Sequence, residues 1–391
     1  MDRHASINRI YRLVWSHVHK TWVVVAETAR GRGKKTNRKL LAATALAAAA
    51  QLAHAGPTGG QVTAGSGTIQ QAGTTTTINQ SSQGLALSWQ SFNTTGGETV
   101  NFVQPSSSAI AVNRILDTNG TQFMGKLNAN GQVYLINPNG VLFGAGSQVN
   151  VGGLVASTLD VDDAALNGPA RQFIGTGTGS IVNRGSIAAA KGGYVAFLGN
   201  RVSNQGNIAA PAGTVALGAG SDITLSFAGN SLVNMQLNRS TLDNLAENGG
   251  LIQADGGAVI LTAGAKDAVL ASVVNNTGIV QARSVEHVNG TIVLGGGQQS
   301  TVGNSGTLDA SGTAAGQQGG TVKVLGDHVA LAAGSRIEVS GDAGGGTALI
   351  GGNFLGAGLE RNALTTDVAA GSTVHADAVT RGNGGQVAVW S

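Results

Sequence analysis

Beyond about residue 176 the chain repeats itself, and a recurring unit of twenty to thirty residues restricts it to architectures built by stacking neighbours. The unit Asn-x-Gly-x-(Ile/Val/Leu)-x-Ala begins at Asn183, Asn204, Asn248, Asn276 and Asn304. Between these, Gly-x-(Val/Ile)-x-(Phe/Leu/Val) begins at Gly193, Gly213, Gly257, Gly290, Gly320 and Gly385. A weaker third stretch follows, as at Asp222, Asp267 and Asp327. Three short alternating strands per unit, at gaps near 20, 28 or 30 residues or about twice 22, predict coils of a parallel β-helix with loop insertions. Inward Ile, Val and Leu would stack coil on coil, and Gly and Asn at the corners are expected to supply turns of positive φ. A β-sandwich is the structural alternative, because strand counting does not fix parallel pairing.

Composition agrees with a chain of short strands. Glycine makes up 62 of 391 residues, aromatics 4% and charged residues 11%, yet 41% of the chain is hydrophobic, which a disordered chain would not be. The pI of 9.3 misleads. Residues 1–55 hold ten of the 23 Lys and Arg but two of the 20 Asp and Glu, so the remainder carries a net charge of −5. A nucleic-acid partner would need a basic face on that remainder, and none is expected. There is no cysteine, so stability must come from a repetitive core and not from disulfides.

Upstream of the repeat, residues 131–157 read GQVYLINPNGVLFGAGSQVNVGGLVAS. Val133, Leu135, Val141, Phe143, Val149 and Val151 alternate with small or polar residues, predicting three strands buried on one face. The break Asn137-Pro138-Asn139-Gly140 suits a type I turn, with an Asx acceptor at Asn137, φ preset by Pro138, the bridge position at Asn139 and Gly140 to leave. The run from Gln104 to Thr158, with Ala109 to Arg114, Gly125 to Gly131 and INPNGVLFGAGSQVNVGGLVAST, closely resembles the haemagglutination-activity secretion domain of two-partner-secretion exoproteins. It is most similar to the high-molecular-weight adhesin branch. Filamentous-haemagglutinin-type members carry a further NPNL tetrad upstream, where this chain reads Phe102 to Ala109, so no role of that tetrad carries over. The resemblance implies an all-β, right-handed parallel β-helix with extra-helical hairpins. It also implies recognition through Asn137, Pro138, Asn139 and Gly140 by the periplasmic POTRA domains of a dedicated TpsB-type outer-membrane β-barrel transporter.

The first 55 residues read as a cleaved leader. Lys34, Lys35, Arg38 and Lys39 precede the apolar run Leu40 to Ala53, and Ala53-His54-Ala55 puts small residues at −3 and −1 of a cut before Gly56. Fourteen apolar residues are too few for a transmembrane helix, which needs about 20. Sec machinery and signal peptidase are therefore expected partners. Met1 to Gly31 resembles the extended signal-peptide region of type V secreted proteins. Arg3, Arg9, Arg12 and Lys20 among Tyr11, Trp15 and Trp22 equally suit an amphipathic membrane-surface helix.

Catalytic chemistry finds little support. Asp160, Asp162 and Asp163 form the only dense carboxylate cluster, and a helix N-cap before Ala164-Ala165-Leu166 explains it more cheaply than a metal site. His287, His328 and His375 stand far apart without a nucleophile motif or zinc spacing, and read as exposed. Gly295–Gly297 and Gly344–Gly346 lack a phosphate-loop lysine. No catalytic residue, metal or cofactor is assigned. The expected organisation is a leader over 1–55, a secretion domain over 56–300 and the start of an adhesin rod over 301–391, stopping in mid-repeat as a fragment would. The expected function is that of a secreted, surface-located, non-enzymatic adhesin, directed at a host-cell surface or glycan. The alternative is a secreted β-helix polysaccharide lyase or hydrolase, which would need carboxylates converging on one groove.

Overall fold

Period-two alternation turns every second side chain of a strand to one side, and from Thr75 onward those sides face a common interior. In a computed structural model, residues 11–16, 21–26, 56–240, 244–264 and 272–391 are described. They belong to two compact units, Met1–Ala53 and His54–Ser391. The second is a right-handed parallel β-helix of three faces. Face I runs from Thr75–Gln80 through Thr99–Val103 and Lys126–Ala129 to Thr373–His375, and face II from Gly84–Trp89 through Ile110–Ile115 and Gln132–Ile136 to Gln386–Val389. Face III is a nine-stranded sheet from Thr121–Phe123 to Thr365–Val368.

The ladders predicted from sequence are present in register. On face I, Ile187, Ile208, Ile252, Val280, Leu308 and Ile337 pair in succession, and on face II Val195, Val215, Val259, Ile292 and Val322 do the same. All are at most 1% exposed. The six alternating residues of 131–157 lie in the same core. Its first coils hold an aromatic column, Trp89, Phe92, Phe123, Phe143 and Phe197, with successive ring centroids 5.3 to 6.3 Å apart. At the corner between faces III and I a different ladder takes over. Asn183, Asn204, Asn248 and Asn276 each pass an Nδ2–H to the Oδ1 of the next asparagine, ending at Asn304, at 2.8 to 2.9 Å inside the core.

That ladder corrects the reading of the Asn-x-Gly corners, whereas Gly140, Gly146, Gly192, Gly256, Gly334 and Gly371, at other corners between faces, have the expected positive φ. None of the five repeat asparagines, nor Gly185, Gly206, Gly250, Gly278 and Gly306 after them, has positive φ. The glycines are required because the coils approach so closely: a Cβ at Gly206 would strike the carbonyl oxygen of Gly185, and one at Gly250 that of Gly206. Coil length needs correcting too. Asn204 and Asn248, 44 residues apart, bond directly, so this interval is one coil carrying an insertion and not two coils of 22. Inside the insertion Asp222–Ala228, expected as a third helical strand, is an antiparallel strand outside the helix, while the stretch at Asp267 lies outside the described residues.

The extra-helical sheet is four-stranded: Asp160–Val161, Ala170–Ile174, Asp222–Ala228 and Ser231–Arg239. It covers the outward side of face II with a second core that includes Ile110, Val112, Tyr134, Tyr194, Phe173 and Leu225. Face II is therefore apolar on both sides over that length, which is why Gln132–Ile136 is buried throughout. At the other end, Gln61–Ala64 and Gly67–Ala72 lie antiparallel on Gly84–Trp89 and Thr75–Gln80, covering the first edges of faces II and I.

In the first unit, Tyr11–Ser16 and Thr21–Ala26 pair as antiparallel strands, from Tyr11 opposite Ala26 to Ser16 opposite Thr21. The expected helical leader is not found there. The segments YRLVWS and TWVVVA are rich in β-branched and aromatic residues, which favour extended backbone over helix. The apolar run and the cleavage positions Ala53 and Ala55 lie outside the described residues.

Candidate functional site

The Asn137–Gly140 turn joins Gln132–Ile136 on face II to Val141–Phe143 on face III. Gly140 N–H donates to the Asn137 carbonyl at 2.9 Å, closing the four-residue turn, and Asn139 N–H donates to Asn137 Oδ1 at 2.9 Å, the expected Asx contact. Asn137 Nδ2 donates to the Asn119 carbonyl at 3.1 Å and to Thr121 Oγ1 at 3.0 Å, while its main-chain N–H donates to Ser157 O at 2.9 Å. Every polar group of Asn137 is thus used inside the protein, and the residue is 0% exposed.

The turn is clamped between two others. On one side Asn139 Nδ2 donates to Asp117 O at 2.9 Å and Thr121 N–H to Gly140 O at 2.9 Å; on the other, Gly179 N–H donates to Pro138 O at 3.1 Å. Gly140 has φ of +102°, and a Cβ there would lie 2.6 Å from Ser180 O, so two independent constraints require glycine. Only Pro138 and Asn139 of the tetrad reach solvent. The arrangement offers no nucleophile or titrating group. Its chemistry is that of a fixed fold-back between two faces.

The other sequence candidates are dispersed. Asp162 Oδ1 accepts from Ala164 N–H at 3.0 Å, capping a single 3₁₀ turn, Asp163–Ala165. Asp160 and Asp163 both pair with Arg114 at 2.9 Å, tying the first insertion to face II. These carboxylates therefore serve a cap and an ion pair. His287 and His328 are exposed, but His375 is half-buried against Glu338, with Nδ1 at 3.1 Å from Oε2. Burial pushes the Glu338 carboxyl up, yet hydrogen bonds from Ser340, His375 and Arg336 outweigh that and hold it below its ordinary value. Gly56, the first residue after the expected cut, sits beside Glu98 and Thr76.

One group escaped the sequence reading. Arg171 is 5% exposed within the second core, donating through Nη1 to Tyr134 Oη and to Gln132 Oε1. Tyr134 and Tyr194 share a 2.9 Å hydrogen bond, and Tyr194 donates to Gln132 Oε1 at 2.6 Å. The available signal was parity: in Ala170–Ile174, Arg171 falls on the same side as Phe173.

Comparison with known proteins follows the same outline. Residues 53–310 match the TPS secretion domain family, and residues 8–56 match the extended signal peptide of the type V secretion system. The chain is 32% identical over 248 residues to a heme/hemopexin-binding protein of Haemophilus influenzae strain KW20 / Rd, and 34% identical over 242 residues to a second H. influenzae protein of that description. These alignments take in 61% and 56% of this chain but 27% and 26% of the relatives, so the chain spans about a quarter of the length of the curated proteins it matches. Among solved structures it resembles the HMW1 secretion domain from H. influenzae, with a TM-score of 0.70, 32% identity and coverage of 82% of this chain and 83% of that one. The matched family is one of secretion domains and not an enzyme class. The chain belongs to the two-partner-secretion family: it is an exoprotein carrying a TPS secretion domain and an extended signal peptide, sent across the outer membrane to the cell surface or beyond, with a TpsB transporter as the implied partner.

Proposed function

We propose that the Asn137–Gly140 turn is the element the transporter reads, and that it is read before the β-helix closes. The observation carrying this is the burial of Asn137. With its side chain and main chain fully engaged by Asn119, Thr121, Ser157, Asn139 and Gly140, it has nothing to offer a partner once the flanking coils are in place. Recognition of a segment still extended, by strand addition to a periplasmic POTRA domain, supplies affinity through main-chain hydrogen bonds and specificity through side-chain pockets. Sec machinery delivers the chain, and signal peptidase cuts after Ala55, leaving Gly56 as the mature N-terminus. The exported protein is a non-enzymatic adhesin, with residues 56–300 as the export domain, 301–391 opening its rod, and a host-cell surface or glycan as its eventual target.

The test compares export with stability. Asn137→Ala and Gly140→Val are expected to leave synthesis and leader removal intact while the secreted to periplasmic ratio falls at least tenfold. Asn119→Ala, in the adjoining turn, keeps the carbonyl that Asn137 uses and should export normally. Asn276→Ala removes a buried amide of the same kind elsewhere, so it lowers stability without touching the turn. If Asn276→Ala and Asn137→Ala lose export equally, folding stability and not recognition explains the result, and the proposal fails. N-terminal sequencing of secreted protein should begin at Gly56.

A further inference from the structure

Arg171 is a cation held almost wholly inside an apolar layer, with no anion among the described residues to balance it. Among the described residues it makes no ion pair, and its Nε–H is buried without any hydrogen-bond partner. Its guanidinium carbon lies 3.9 Å from the centre of the Phe227 ring, a favourable contact that supplies no counter-charge. The phenols on which it leans do not supply one either: burial raises the ionisation of Tyr134 and Tyr194 above the ordinary value, so both remain neutral. A buried, uncompensated charge is costly, and proteins that retain one ordinarily pair it.

Beside this cation a cleft of about 410 Å³ opens to solvent. Arg171, Ile110, Leu166 and Phe227 line its buried part, while Ser108, Asn167 and Asn230 form an exposed rim. Among the described residues Arg171 is the only charged one in the lining. We propose that this cleft binds a small carboxylated sugar, a uronic acid being the simplest, with its carboxylate on Arg171. One guanidinium matches one carboxylate in charge, whereas a phosphate dianion would ask for a second cation that the lining lacks. The amides and hydroxyl of the rim suit sugar hydroxyls, and the apolar floor suits a pyranose face. Size agrees, since clefts of roughly 300 to 1,000 Å³ take small molecules.

The site lies on the outward side of the β-helix and is independent of the export turn. The test is calorimetric titration of the secreted mature protein with D-glucuronate, using D-glucose and inorganic phosphate as comparison ligands. Glucuronate is expected to bind saturably at one site, at least tenfold more tightly than either. Arg171→Met should abolish that binding. Should that variant fail to fold, Asn230→Asp carries the test: it adds a negative charge to an exposed rim position, so it should weaken glucuronate at least fivefold while leaving the ligand-free melting temperature unchanged. Absence of saturable binding up to about 50 mM glucuronate, equal affinity for glucose or phosphate, or indifference to Asn230→Asp would each overturn the proposal.

Discussion

Replacing Asn248 with alanine interrupts the amide ladder at its middle rung. Asn248 is 0% exposed; its Oδ1 accepts from Asn204 at 2.8 Å, and its Nδ2 donates to Asn276 Oδ1 at 2.9 Å, with longer contacts to Gly250 O and Ile279 O at 3.2 and 3.3 Å. Two short bonds at about 1 kcal/mol net each are lost, and the Asn204 donor and Asn276 acceptor are left short of a partner in a dry interior. Together these come to about 3 kcal/mol. Asn304 is the last rung: it accepts from Asn276, but the residue paired with it in the next coil is Leu331. Asn304→Ala should therefore cost about 1 kcal/mol less than Asn248→Ala. Urea unfolding of residues 56–391, followed by far-UV circular dichroism, measures both. Asn207→Ala, at an exposed position beside the ladder, should change stability by less than about 0.5 kcal/mol. The double variant Asn204→Ala/Asn248→Ala should cost about 1 kcal/mol less than the sum of its parts, since the two share a bond. If Asn248→Ala falls within the range of Asn207→Ala, or no further than Asn304→Ala, the ladder is not a stabilising unit and the reasoning is refuted.

Two further perturbations test the faces and the charges. Ile208→Asp puts an unpaired carboxylate at a position 1% exposed and should cost about 4 kcal/mol or prevent folding, whereas Ala209→Lys, next to it but turned outward on face I, should be nearly neutral by thermal melting; equal damage would invalidate the assignment of faces. The Glu338 carboxyl is held below its ordinary value of 4.5, so its stabilising effect is present above pH 4.5 and disappears as the pH falls through the lower folded value. Glu338→Gln should lower the melting temperature at neutral pH and flatten its decline below pH 4.5; a parallel downward shift at every pH would contradict this sign.

What the sequence disclosed depended on the range over which each constraint acts. The inward ladder of Ile187, Ile208, Ile252 and Val280 was legible because alternation is a property of a few adjacent residues, and the coils only repeat it. The Asn137–Gly140 turn was legible for the same reason, and its Asx contact at 2.9 Å is the predicted one. Its burial was not, because the turns that clamp it come from Asp117–Thr121 and Gly177–Ser180, and pairing between coils leaves no mark on the tetrad itself. The motif Asn-x-Gly was found, but the reason for it was misread. One residue at a time, glycine at a corner suggests positive φ; only the stacking of Gly185 on Gly206 on Gly250 shows that the absent Cβ is what matters. Arg171 escaped for a third reason: parity places it beside Phe173, but its partners come from Gln132 and Tyr134, some forty residues earlier, and Phe227, more than fifty later.

The way the β-helix is finished at one end bears on how such a chain can fold as it emerges. Gln61–Ala64 and Gly67–Ala72 run antiparallel to the first coil and occupy its free edges on faces I and II, so further strands on those faces add on the C-terminal side. The first coils are also the ones filled by Trp89, Phe92, Phe123 and Phe143, whose bulk buries more apolar surface per coil than the Val and Ile that follow. Downstream, each asparagine donates to the asparagine of the coil after it, so a rung is incomplete until the next coil docks. A capped, aromatic-rich start followed by coils that satisfy their predecessors gives growth in one direction, from the N-terminal side outward. In that order the Asn137–Gly140 turn first docks on Asn119 and Thr121 of the preceding coil, and the coil that contains Gly179 then closes on its other side through Pro138 O.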